Sequence, residues 1–71
     1  MIETRAQAER RLQALLLTLQ YCRHALSDAE KSGKPEAIDR AREAIRIQHE
    51  LIRKHCAETG LERPHDVPEE D

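Results

Sequence analysis

Ser32-Gly33-Lys34-Pro35-Glu36 carries a helix stop followed at once by a helix start. Gly33 suits the left-handed position that closes a helix, and Pro35 suits the first turn of the next one, where the missing N–H has no partner to lose. A tight turn at Gly33-Lys34-Pro35 therefore joins two helices. Upstream, Ala8, Leu12, Leu15, Leu19, Cys22, Leu26 and Ala29 alternate steps of four and three, the a/d seam of a coiled coil. Downstream, Ile38, Ala41, Ile45, Gln48, Ile52 and His55 repeat the pattern. Thr4-Arg5-Ala6-Gln7 fits a capping box at the outer start, while Gly60 and then Pro64 end the second run. The expectation is an all-α antiparallel helical hairpin over residues 1–60, with helices at about 4–32 and 35–59 and the turn at 33–35. Residues 61–71 are polar, acidic and proline-bearing, and are expected to form a flexible acidic tail.

The residue palette agrees with helices. One Tyr and no Trp or Phe among 71 residues leave the core to Leu, Ile and Ala, and β-branched and aromatic strand formers are scarce. A net charge of −2 opposes a generic nucleic-acid or membrane binder, whose mark is a basic excess. Ala14 to Leu17 with Leu19 is the longest apolar cluster, too short for a signal core or a membrane span, so no membrane association and a cytoplasmic location are expected. Cys22 and Cys56 would sit about ten residues apart along a hairpin that turns near residue 34. At about 1.5 Å per residue the gap is about 15 Å, beyond the ~7 Å Cα limit of a disulfide.

A chain this short needs burial beyond a single hairpin seam. The apolar positions of the second helix, from Ile47 through Leu51, Ala44, His55, Ile52 and Ile45 to Ile38, cover nearly half its circumference, and one neighbouring helix cannot cover that much. Two hairpins packed across a two-fold axis as a four-helix bundle would, with Leu12, Leu15, Leu19, Leu26, Ile38, Ile45 and Ile52 as dimer and core positions. A hairpin completed by a different, larger protein is the competing solution.

Neither catalysis nor cofactor binding has a motif. His49, His55 and Cys56 diverge around the helix, no H-x-x-x-H or C-x-x-C pair occurs, and both glycines are explained as caps, so no metal site, phosphate loop or catalytic group is assigned. Two surface signals remain. Arg42, Arg46, His49 and Arg53 recur at steps of four, three and four, a basic stripe that is either a salt-bridged exterior or a docking stripe for RNA or an acidic protein. Leu17 occupies the most exposed heptad position and Tyr21 follows one turn later, a candidate apolar ridge for a partner.

The hairpin plan resembles plasmid RNA-binding proteins of the Rop type, which dimerise into a four-helix bundle. That resemblance implies an RNA-binding alternative on the Arg42 to Arg53 stripe. Ile45-Arg46-Ile47-Gln48-His49-Glu50-Leu51-Ile52 looks like the second helix of a family of aspartyl-phosphate phosphatases, whose SxxxD signature is missing because this helix has no Ser. Small type III secretion co-chaperones are similar in size and shape, which implies a protein partner. The reading that follows is a small non-enzymatic protein-binding module, an adaptor, inhibitor or chaperone-like regulatory subunit, working as a homodimer.

Overall fold

The computed structural model describes residues 4–71, so Met1 to Glu3 of the expected hairpin lie outside the described residues. It contains two α-helices packed against each other, α1 (Arg5–Ser32) and α2 (Pro35–Thr59). Each boundary has a local cause. Thr4 Oγ1 accepts from the Gln7 amide at 3.2 Å while the Thr4 amide donates to Gln7 Oε1 at 3.0 Å, which satisfies two otherwise orphan donors. Gly33, at φ 70°, donates its amide to the Ala29 and Glu30 carbonyls, and Pro35 opens α2 directly. Gly60, at φ 74°, ends α2 in the same left-handed conformation. At about 1.5 Å per residue the 28 residues of α1 span about 42 Å, which accounts for the 44 Å long axis of the molecule.

The seam follows the four-three pattern with a graded burial. Leu19 and Ile52 are 1% and 0% exposed, and Leu12, Leu15 and Ile45 are half-buried against them. Ala8, Ala29 and Ala41 are buried where the helices need small side chains, while Leu26 and Ile38, near the turn, are half-buried. His55 is buried at the open end, where its Nε2–H donates to the Ala8 carbonyl at 2.8 Å. That bond fixes the ring tautomer and ties the start of α1 to the end of α2.

Residues 61–71 depart from the expected tail. They carry no helix or strand, yet Val67 is 0% exposed and joins Leu19, Ile52 and Cys56 in the core cluster, with Leu61 packed alongside. The acidic composition concealed this because Leu61 and Val67 are isolated apolar side chains with no periodicity. Their burial depends on a groove that exists only once the two helices are paired. This segment, here termed the strap, turns at Pro64, whose carbonyl accepts from the Val67 amide at 3.1 Å. The Arg63 guanidinium donates to the Val67 carbonyl and reaches Glu69 at 3.3 Å.

Both cysteines are free thiols, Cys22 half-buried and Cys56 buried. Burial pushes the Cys56 thiol above its usual range, and Sγ–H points to the Glu62 carbonyl at 3.8 Å. Because thiolate and access together set alkylation rate, iodoacetamide at pH 8 should label Cys22 at least tenfold faster than Cys56. Reductant should leave the melting temperature unchanged. Equal labelling rates, or an internal Cys22–Cys56 peptide after non-reducing digestion, would contradict this packing.

Candidate functional site

At about 100° per residue from Ile52, His49, Arg53 and Cys56 fall on one flank of α2, and Ala44, Leu51 and His55 on the other. The seam on α1 divides the same way, with Leu16 and Arg23 on the first side and Leu15 and Ala29 on the second. The strap covers only the first side. Four basic side chains hold it there. Arg23 Nη1 donates to Asp66 Oδ2 at 2.8 Å and its Nη2 to the Asp66 carbonyl at 3.2 Å. Arg53 Nη1 donates to the Pro68 carbonyl at 3.0 Å and reaches Asp71 Oδ1 at 3.5 Å, while His49 Nδ1–H donates to Asp71 Oδ1 at 2.9 Å. Arg63, within the strap, braces it from inside.

The expected basic stripe is thus divided. His49 and Arg53 are engaged by the strap, and Arg46 is paired with both Glu43 and Glu50 on its own helix. Glu50 meets Arg46, while Arg53, one turn on, is directed toward the strap. Arg42 is exposed at the end of the row. The salt-bridged exterior therefore describes Arg46, whereas His49 and Arg53 meet the chain's own acidic segment. Arg23 was missed as a site residue. It lies in α1, 43 positions from Asp66, and no local pattern in the sequence links the two.

Asp66 and Asp71 are both held below their ordinary value of 3.8, chiefly by the hydrogen bonds from Arg23 and from His49 respectively. Arg53 adds to the effect at Asp71. A carboxylate with a lowered folded pKa contributes stability above its unfolded value and loses it as pH falls through the folded one. Strap docking should accordingly be at full strength from neutral pH down to about pH 4 and weaken modestly below it, with Val67 still seated. Protection of the Val67 amide from hydrogen exchange checks this. Protection that persists unchanged to pH 2 would assign docking to Val67 alone.

The second side of the seam is uncovered. Leu51 and Ile47 are 44% and 43% exposed there, beside a shallow groove lined by Arg11, Leu15, Leu51, Lys54, His55 and Glu58. Toward the turn it continues as a shallow face lined by the exposed Ala25 and the half-buried Ala37 and Ala44, over the buried Ala29 and Ala41 and flanked by Asp28, Lys34 and Arg40. Leu17 and Tyr21 project from the outer side of α1, 56% and 71% exposed. Leu17 borders the strap groove, and Tyr21 lies beyond it. Among the described residues no three His, Cys, Asp or Glu side chains are placed to hold a metal ion, and no helix is long and apolar enough to cross a membrane.

No protein-family model, curated protein or solved structure matches this chain.

Proposed function

We propose that this chain is a small non-enzymatic protein-binding module, an adaptor, inhibitor or chaperone-like regulatory subunit that acts as a helical-bundle homodimer. The observation that carries the reading is the asymmetry of the hairpin. One side of its seam is sealed by the strap, while the other leaves Leu51 and Ile47 exposed and Leu15, Ala37 and Ala44 half-buried. Exposed apolar side chains gathered on one face and rimmed by Arg11, Lys54 and Glu58 suit an interaction surface, and a second copy presents the same face, as an isologous contact requires. The small alanines allow close helix approach near the turn. The larger Leu15 and Leu51 supply apolar area toward the open end.

Light scattering should give twice the 8.2 kDa chain mass. Ile47→Glu with Leu51→Glu should return the mass to that of one chain without loss of helical content. A folded wild-type monomer at micromolar concentration would overturn the dimer.

Leu17 and Tyr21 are the outward ridge for a further protein partner. Their exposure makes Leu17→Ala with Tyr21→Ala nearly neutral for stability, within about ±0.5 kcal/mol, and leaves the dimer mass intact. Capture of the partner should weaken at least tenfold, since aromatic and apolar anchors can each cost about 2 kcal/mol when truncated. An early-melting double variant would place the ridge in the core. The Rop-type RNA reading loses ground because His49 and Arg53 already hold carboxylate and carbonyl groups of the chain itself. A steep fall of partner affinity with salt would restore it.

A further inference from the structure

The strap lies in its groove as a bound peptide lies in a receptor. It has no helix or strand of its own, and one backbone turn bond, from the Val67 amide to the Pro64 carbonyl, joins it internally. Apart from the Arg63 brace within it, what fixes it comes from the hairpin. Val67 fills a fully buried seat formed with Leu19, Ile52 and Cys56. Arg23 takes both the carboxylate and the carbonyl of Asp66, Arg53 takes the Pro68 carbonyl, and His49 with Arg53 takes the Asp71 carboxylate. Two of these contacts read backbone carbonyls, which any extended segment offers. The others read a carboxylate just before the buried side chain and another four positions after it. The groove also outruns its occupant, because a recess of about 310 Å³ lined by Gln13, Leu16, Leu17, Gln20 and Arg23 continues along α1 beside Pro64 and Asp66.

From this arrangement we infer that the strap-side groove is a receptor for an extended acidic segment of a partner protein, one presenting an aliphatic side chain directly after a carboxylate, and that residues 64–71 occupy it in the free protein as a competing internal ligand. The charged side chains of the hairpin that bond the strap, Arg23, His49 and Arg53, are all basic, so the complementary partner is acidic rather than a nucleic acid. The seat beneath Val67 admits one aliphatic side chain, which gives selectivity beyond charge. A tethered segment acts at an effective concentration on the order of mM, so it suppresses an incoming peptide of moderate affinity until that peptide is locally abundant or the strap is weakened. The inference gives the protein-binding reading a partner class. It concerns the face opposite the proposed dimer contact, so a peptide titration and a mass measurement fail separately.

The test uses the full chain and a fluorescein-labelled synthetic peptide with the sequence of residues 61–71. Wild-type protein should bind it weakly. The Val67→Asp variant, whose strap cannot dock, should bind it at least tenfold more tightly, and a peptide carrying the same Val-to-Asp change should not bind. Asp66→Lys with Asp71→Lys provides a second released form that keeps Val67 and the helices intact, and the same gain is expected. If Val67→Asp lowers the melting temperature, the wild-type peptide should raise it again. A released variant that retains its helical circular dichroism but binds no peptide would overturn the inference. Equal affinity of wild type and both released forms would do the same, as would binding of a single-stranded RNA oligonucleotide in place of the peptide. Growth of wild-type mass by strap exchange between copies, blocked by added peptide, would replace the foreign partner with a second copy and equally overturn it.

Discussion

Leu19→Asp abolishes the fold: the far-ultraviolet helical signal of the variant should collapse toward that of an unfolded chain at 25 °C. Leu19 is 1% exposed and touches the core from both directions, packing with Ile52 across the helix pair and with Val67 of the strap. Truncating a buried leucine costs about 2–5 kcal/mol through lost transfer energy and the cavity left behind. A carboxylate placed there lacks a cationic neighbour in the core cluster, and an unpaired buried polar group adds about 1–3 kcal/mol or more. The whole stability of a chain of 71 residues is only about 4–10 kcal/mol. The two losses together, about 3–8 kcal/mol, are of the same size as that stability. Any homodimer would dissociate with the unfolding, so mass and helicity should fall together. A Leu19→Asp protein that stays helical and melts within a few degrees of wild type would remove Leu19 from the centre of the core.

The second large effect is expected at Val67, and it differs in kind. Val67→Asp should release the strap while both helices persist, because α1 and α2 retain their caps and the rest of their seam. Burying a valine side chain is worth about 1.5–3 kcal/mol, and the aspartate can escape into water by undocking, so the loss is capped at the docking energy of the strap. The ion pair of Arg23 with Asp66 adds little, since its side chains are 39% and 60% exposed and surface pairs contribute about 0–1 kcal/mol. For a domain of this size about 4–8 °C of melting temperature accompanies each kcal/mol. A fall of roughly 10 °C is expected, together with rapid cleavage after Glu62 by a glutamate-specific protease and retained helicity. A melting temperature equal to that of wild type would mean that the groove gains nothing from its occupant. Complete unfolding would instead make the strap an integral third element of the core.

How far the site was legible follows the range of the interactions. Thr4, Gln7, Gly33, Pro35 and Gly60 act within a few residues of themselves, so both helices could be bounded from the chain alone. Leu19 and Ile52 were legible as seam positions because a helix repeats every few residues. Val67 was not. It has no periodic neighbours, and nothing near it in sequence indicates that a groove between two distant helices will take it. Arg53 and His49 were visible as basic and aligned, but whether an aligned stripe meets solvent, a partner or the chain's own acidic segment depends on where that segment goes.

The helical hairpin, its turn and the side chains that face the seam can be read from the chain alone. These follow from capping chemistry and from helical periodicity, both of which operate over one or two turns. Tertiary structure alone decided which side of the seam is sealed and which is open. That choice rests on Val67 finding Leu19 and Ile52, and on Arg23, His49 and Arg53 finding Asp66, Pro68 and Asp71. Such contacts join residues 15 to 48 positions apart, and they become favourable only after helix pairing has built the groove and its basic rim.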